Sequence, residues 1–180
     1  MTVWGQLLQP DLALGGSILD LTPDIISRHQ LKGLILDVDE TLVSFKQSQP
    51  GSDVQQWLKQ MQSLLIPVVL VSNNMSHSRI SRIAEDLGVE SFYIAAGKPS
   101  RRKLREAVAL MQLPHNQIAM VGDRLFTDVL GGNRLGLFTV LVEPMVDSLS
   151  PVAVNSPKQC LRNAEIWISQ RLGVVLSRER

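Results

Sequence analysis

Acidic residues occur in pairs at two points where an apolar run of the sequence ends. Asp37 and Asp39 lie at the end of the run 33–38, and Asp123 and Asp128 follow the run 117–121. Carboxylates this close repel one another unless a cation or hydrogen bonds hold them. A hard divalent cation such as Mg²⁺ takes oxygen ligands of this kind. Both pairs are therefore candidates for a metal site, although each alone also fits a polar turn or a helix cap.

Two further apolar runs end in residues that can bind an anion. Ser72, Asn73 and Asn74 follow the run 67–71, and their hydroxyl and amide groups could hold an oxyanion beside the start of the next helix. Lys98 follows the run 91–95 and could direct its ammonium group toward a phosphate. Taken singly, these residues are better explained by an ordinary helix N-cap and a solvated loop lysine.

The elements that must position these residues follow from the hydrophobic pattern. The four apolar runs named above and a fifth at 137–142 are continuous, which indicates strands covered on both faces. Stretches with a helical hydrophobic period separate these runs. This alternation predicts an α/β fold, a three-layer Rossmann-like parallel sheet with helices on both faces. We expect a capping box at Ser52 and Gln55, a helix ending at Gly88 and a helix opened by Pro99.

The predicted sheet gives the separate motifs a common location. Ligands of such sheets bind at the carboxyl ends of the strands, and all four motifs follow strand ends. An acid pair, a hydroxyl group, a lysine and a second acid pair at one edge form a full set for metal-assisted phosphoryl transfer. The presence of all four motifs at one edge of the sheet favours a catalytic site over a separate structural explanation for each motif.

Length and composition limit the organisation of the chain. The chain has 180 residues, of which 44% are hydrophobic and 19% charged. This length and composition predict one domain over 1–180. Within it we expect an N-terminal extension (1–30), a catalytic core (31–145) and a C-terminal helical segment (151–180). A net charge of +1 argues against a nucleic-acid partner, and the single cysteine excludes an intramolecular disulfide. The longest apolar run has eight residues and the first ten lack a basic cluster. We therefore expect no transmembrane segment and a cytoplasmic protein, with attachment at a membrane surface left open.

The ordered motifs resemble a known superfamily. Asp-x-Asp-x-Thr at 37–41, Ser-Asn-Asn at 72–74, Lys-Pro at 98–99 and Gly-Asp-x₄-Asp at 122–128 resemble the haloacid dehalogenase (HAD) superfamily of phosphatases, over residues 31–142. The whole chain, including the Leu-Gln-Pro-Asp at 8–11, is similar to the YqeG-type and phosphatidylglycerophosphate phosphatase family.

The resemblance implies a mechanism. Asp37 would be the nucleophile that forms an aspartyl-phosphate, and Asp39 the general acid for the leaving alkoxide and then the base for water. Mg²⁺ would be held by a carboxylate oxygen of Asp37, the backbone carbonyl of Asp39 and Asp123.

The remaining motif residues receive supporting roles from the same resemblance. Ser72 and Lys98 would hold the transferring phosphoryl oxygens, and Asn73 would add a contact. Asp128 would orient Lys98 or a metal-bound water, and the Thr41 hydroxyl would support the turn. Asn74 has the weakest assignment.

The spacing of the motifs bears on the substrate. Only 30 residues separate Thr41 from Ser72 and 25 separate Ser72 from Lys98, which is too few for an inserted cap domain. The chain thus resembles the capless subclass, whose open sites suit bulky or surface-held substrates. Phosphatidylglycerophosphate is one candidate substrate, and a small soluble phosphate ester or a phosphoprotein is the alternative.

Basic residues around Trp167 in the C-terminal segment could rest on anionic lipid, or Trp167 could pack into the core.

Other classes of protein fit the sequence less well. A receiver-type signalling domain needs an aspartate at the end of its third strand, where this chain has Ala-Ala-Gly at 95–97. A P-loop nucleotide binder is excluded because no Gly-x₄-Gly-Lys-Ser/Thr motif occurs. A catalytically inactive binding module of the same fold remains as an alternative. Against it, every reactive position of the motifs is intact.

Overall fold

The fold is built on six parallel strands that form a single sheet. The computed structural model describes residues 3–44, 47–145 and 163–176, without 166, 169 and 172. The sheet has the order β1-β6-β5-β2-β3-β4, and all of its pairs are parallel. The strands are β1 (Leu12–Ala13), β2 (Gly33–Leu36), β3 (Val68–Val71), β4 (Phe92–Tyr93), β5 (Ile118–Gly122) and β6 (Phe138–Leu141).

Between residues 3 and 145, the structure describes six α-helices and three short helical turns that precede or connect the strands. The turns are 3₁₀ at Ile18–Asp20 and His115–Gln117 and a π-type turn at Leu125–Val129. The helices are α1 (Val3–Leu8), α2 (Pro23–Arg28), α3 (Ser52–Ser63), α4 (His77–Leu87), α5 (Arg102–Met111) and α6 (Leu130–Asn133).

Apolar side chains cover the central strands on both faces. On β2, Leu34 and Leu36 belong to a core cluster that includes residues of α3 and α4, whereas Ile35 belongs to a second cluster with residues of α5. Each of these three side chains is fully buried and contributes roughly 1.5–3 kcal/mol to folding. The three-layer parallel fold expected from the sequence is therefore confirmed.

Two of the expected helix starts are wrong. Ser52 cannot cap α3, because the helix already begins at Ser52 and its N-cap is Gly51, without a side-chain cap bond. Helix α5 begins at Arg102 rather than at Pro99, because residues 97–100 form a turn in which the Ser100 N–H donates to the Gly97 carbonyl at 2.8 Å. The predicted end of α4 is confirmed, since Gly88 adopts the left-handed conformation at φ 64°.

The N-terminal segment contributes to the sheet, and the C-terminal segment is described only in part. The segment expected to be an extension supplies β1, so the sheet includes residues before the expected core boundary at 31. Residues 151–162 of the expected C-terminal helical segment lie outside the described residues, and Trp167, within its helical part, is 58% exposed. No helix in the described ranges is long and apolar enough to cross a membrane.

A polar network fixes the N-terminal segment to β6. The buried Thr139 hydroxyl accepts from the Asp11 N–H at 3.1 Å. The same hydroxyl lies 3.0 Å from Asp11 Oδ2 and 3.1 Å from Asn133 Oδ1, one of which takes its proton. Asp11 Oδ2 also accepts from the Thr139 N–H at 2.8 Å. Asp11 therefore bonds β6 through both its backbone and its carboxylate.

We expect Thr139→Val to lower the free energy of unfolding by about 1–3 kcal/mol, because it leaves partners of the hydroxyl unsatisfied. Thr139→Ser keeps the hydroxyl and loses only a methyl group, which costs about 0.8 kcal/mol. Urea denaturation of both variants measures the difference. Equal stability of the valine variant and the wild type would contradict this role for the network.

Candidate active site

The carboxyl ends of three neighbouring strands bring the motif residues together. Asp37 follows the central strand β2, and its N–H donates to the Val121 carbonyl of β5 at 2.9 Å. Ser72 follows β3 on one side, and Asp123 follows β5 on the other. Lys98 reaches the same edge from the loop after β4. The convergence is a consequence of the strand order, which places β2 between β3 and β5.

The Lys98 ammonium group lies between two buried carboxylates. Its Nζ is 2.6 Å from Asp37 Oδ1 and 2.7 Å from Asp128 Oδ1. Burial by itself lowers the pKa of Lys98, but the charges of Asp128 and Asp37 outweigh burial and raise that pKa above its usual value. Lys98 is therefore a fixed cation at this edge of the sheet.

Three carboxylates surround this cation and form a group that fits a metal ion. One oxygen each of Asp37, Asp123 and Asp128 lies within 4.8 Å of the others, and all three residues are buried. Three acidic groups against one ammonium leave an excess of negative charge that a divalent cation would balance. Oxygen ligands of this type suit a hard cation. The side chain of Asp39 is not part of this group.

Burial makes Asp37 difficult to ionise without a further cation. Desolvation raises its pKa, Lys98 lowers it and Asp128 raises it again, with a net result of about 6. A bound divalent cation would favour the ionised carboxylate, which is the form that a nucleophile needs.

Gly122 allows Asp128 to approach the end of β5. A Cβ atom at Gly122 would lie 2.4 Å from the Asp128 Cγ, which no real side chain tolerates. Asp128 belongs to the π-type turn, and its Oδ2 accepts from the Arg124 N–H at 3.3 Å. The glycine of the Gly-Asp-x₄-Asp motif is thus required sterically, a role that the sequence did not reveal.

Asp39 lies in a more open part of the site. Arg79 Nη2 is 2.8 Å from Asp39 Oδ1, and the two side chains are 20% and 21% exposed. Asp39 Oδ2 accepts from Asn74 Nδ2 at 3.0 Å and from Ser72 Oγ at 3.4 Å. Asn74, which had the weakest assignment, therefore holds Asp39 directly. Arg79 was not predicted at all, because an arginine in the first turn of a helix usually faces solvent.

Asn73 ties the Lys98 loop to the end of β3. Its Oδ1 accepts from the Lys98 N–H at 2.7 Å, and its Nδ2 donates to the Lys98 carbonyl at 3.2 Å. Its phosphate contact stays a prediction. Thr41 is fully buried, but its hydroxyl has no hydrogen-bond partner among the described residues, so the expected support of the turn by that group is not seen.

Comparisons with known proteins agree with this geometry. The HAD-hydrolase-like family model matches residues 95–153. The chain is 36% identical to the probable phosphatase YqeG of Bacillus subtilis over 132 residues. This match covers 73% of this chain and 76% of YqeG. It is 23% identical to phosphatidylglycerophosphate phosphatase 1 of Arabidopsis thaliana over 76% of this chain, but over only 41% of that protein.

A solved structure shares the fold. NagD from Escherichia coli K-12 superimposes with a TM-score of 0.54 at 17% identity, over 71% of this chain and 93% of NagD. The parallel sheet, its acidic edge and the relatives together define a phosphatase of the HAD superfamily. Within that superfamily, the chain belongs to the family of the Bacillus subtilis phosphatase YqeG.

The acidic group predicts stabilisation by a divalent cation such as Mg²⁺. At a concentration 100 times the dissociation constant, binding adds about 2.7 kcal/mol, which corresponds to a rise in Tm of about 5–10 °C. Asp123→Asn should remove most of this rise, since it removes one ligand carboxylate.

Thermal denaturation with and without the cation measures this effect. Asp86→Asn, which changes an exposed acid near the end of α4, is the matched control and should keep the full rise. An equal rise in Asp123→Asn and the wild type would contradict a cation site at this edge.

Proposed function

We propose that this phosphatase hydrolyses phosphate monoesters with Mg²⁺ through an aspartyl-phosphate formed on Asp37. The observation that carries the proposal is the position of Lys98 between Asp37 and Asp128, beside the acidic group that includes Asp123. This arrangement supplies a carboxylate nucleophile, a fixed cation and metal ligands at one strand edge. These are the components that phosphoryl transfer to a carboxylate requires.

Asp37 acts on the phosphorus in the first step. A carboxylate oxygen of Asp37 forms a bond to phosphorus as the bond to the leaving alkoxide breaks. Mg²⁺, held by Asp37, Asp123 and the backbone carbonyl of Asp39, would supply charge neutralisation between the nucleophile and the phosphate. Lys98 stays protonated and, together with Ser72, stabilises negative charge on the transferring oxygens.

Asp39 moves the proton in both steps. Its carboxyl group lies on the more exposed side of the site, where an alkoxide can leave, and it gives its proton to that oxygen. Asp39 then accepts a proton from water as the water oxygen attacks the phosphorus of the aspartyl-phosphate. Inorganic phosphate leaves, and Asp37 is regenerated as a carboxylate.

The other motif residues hold these groups in place. Asp128 holds the Lys98 ammonium group as a second carboxylate beside Asp37, and Asn73 holds the Lys98 backbone. Asn74 holds the Asp39 carboxylate by a 3.0 Å hydrogen bond. All of them lie within residues 31–145, which we propose as the catalytic core.

We further propose a lipid phosphate, phosphatidylglycerophosphate, as the substrate. The described residues between the motifs contain helices and strands of the sheet and no inserted cap, which leaves the site open to a bulky substrate. The Arabidopsis relative carries the name of a phosphatidylglycerophosphate phosphatase. A lipid substrate would bring the protein to a membrane surface.

A soluble monoester is the second candidate substrate. A segment of 65 residues is 42% identical to the ribonucleotide monophosphatase NagD of Escherichia coli, although it spans only 25% of that protein. Ribonucleoside monophosphates are therefore the appropriate soluble competitors in a substrate assay.

Asp37→Asn should abolish Mg²⁺-dependent release of phosphate, because the amide cannot act as the anionic nucleophile. Asp39→Asn should lower kcat/KM, which reports the first step, about 10²–10⁴-fold on an alkyl phosphate, which needs a proton on its leaving oxygen. The loss should be smaller on p-nitrophenyl phosphate, whose leaving group needs little protonation. Phosphate release in steady state measures each rate, with Asp86→Asn as the control. Turnover by Asp37→Asn would refute the covalent mechanism.

The lipid assignment predicts that phosphatidylglycerophosphate in mixed micelles is hydrolysed with a higher kcat/KM than soluble ribonucleoside monophosphates. Phosphate release with Mg²⁺ measures both rates. Hydrolysis of the nucleotides with no action on the lipid would leave the phosphatase mechanism intact and disprove the lipid substrate. Inactivity of the wild type on every monoester would support an idle binding module instead.

A further inference from the structure

Arg79 connects Asp39 to Gln47, which lies in the sequence between the first motif and α3. Its Nη2 group is 2.8 Å from Asp39 Oδ1, and its Nη1 group donates to the Gln47 carbonyl at 3.0 Å. Arg79 lies in the first turn of α4, directly after the Ser-Asn-Asn motif. The side chain thus lies at the exposed side of the site, between a proposed catalytic residue and a surface loop.

Two cationic side chains of the site differ in how deeply they are buried. Lys98 is 2% exposed and lies between Asp37 and Asp128, on the side where the phosphoryl group would bind. Arg79 is 20% exposed and contacts Asp39, the residue that would protonate the leaving oxygen. In the proposed mechanism, the group attached beyond that oxygen lies on the Asp39 side of the phosphate. Arg79 is therefore placed to meet the alcohol part of a substrate, and not its transferring phosphate.

The chemistry of Arg79 suits an anion of the phosphate type. A guanidinium group carries five N–H donors, and the described residues take two of them through Asp39 and Gln47. Its planar fork matches phosphate oxygens in a bidentate arrangement. Arg79 and Asp39 are both partly exposed, so an anion that enters the site can reach the guanidinium group beside Asp39.

We propose that Arg79 binds a second anionic group on the leaving alcohol of the substrate. The enzyme would then favour phosphate monoesters whose alcohol carries a phosphodiester or a phosphate. This inference rests on the proposed function, because it uses Asp39 as the marker of the leaving-group side. It narrows the substrate class to esters with two phosphorus centres, whether lipid or soluble.

A matched pair of soluble substrates tests the proposal. The first is 1-O-methylglycerol 3-phosphate, whose alcohol is neutral, and the second carries a methyl phosphodiester in place of the methyl ether. In the wild type with Mg²⁺, kcat/KM should be at least about ten-fold higher for the second substrate, mainly through a lower KM. Higher ionic strength should reduce this ratio, because Arg79 is partly exposed.

Substitutions then assign the preference to Arg79. Arg79→Gln should bring the ratio close to one, and Arg79→Lys should keep part of it as a point charge. Arg82→Gln, an exposed arginine one turn further along α4, should leave the ratio unchanged. Phosphatidylglycerophosphate in mixed micelles carries the same anion, and its kcat/KM should fall by a similar factor in Arg79→Gln.

The outcomes separate this inference from the proposed function. If Arg79 only positions Asp39, Arg79→Gln lowers activity on both soluble substrates equally and the ratio persists, which overturns the inference. A wild type that hydrolyses both substrates equally well also overturns it and leaves the phosphatase mechanism standing. A wild type that hydrolyses neither soluble substrate and leaves phosphatidylglycerophosphate in mixed micelles intact refutes both. Thermal melting of each variant confirms that the rates come from folded protein.

Discussion

The contact of the Lys98 ammonium group with Asp37 and Asp128 is the interaction on which the active-site edge depends. Burial disfavours a lone cation and lone carboxylates alike, so each of these groups needs the others to remain charged. The contact joins the end of β2, the loop after β4 and the turn after β5, which are far apart in the sequence. Asn73 adds two hydrogen bonds to the Lys98 backbone, so both the head group and the main chain of this residue are fixed.

Even with Lys98 in place, the site carries more negative than positive charge. Asp123 adds a third buried carboxylate to the group, and the pKa of Asp37, raised to about 6 chiefly by burial, reflects the cost of ionising it there. A divalent cation at this position would balance the charge and favour the ionised form of Asp37, the proposed nucleophile. Asp39 lies apart from this group, in a more solvated position, which suits the proton transfers that we propose for it.

Segments from both ends of the described chain support the turn that carries the acidic residues. Arg124, which follows Asp123, is ion-paired with the buried Glu165 of the C-terminal segment, and that pairing keeps the pKa of Arg124 above its usual value against the opposing effect of burial. Leu8 of α1 and Val174 pack in one apolar cluster with residues of the turn. The terminal segments therefore contribute to the position of the acidic residues of the site.

The sequence by itself determined the strands and the location of the site. Continuous apolar runs predicted five of the six strands, because strands covered on both faces exclude polar residues, and the acids followed those runs. Strand β1 lies in a run of only three apolar residues, 12–14, which is too short to indicate a strand. The tertiary structure decided the helix starts at Ser52 and Arg102, the steric need for Gly122, and the partners of Asp39 and Lys98. Periodicity shows which face of an element is buried. Contacts such as that of Arg79 with Asp39 join residues 40 positions apart, and only the folded chain sets their distance.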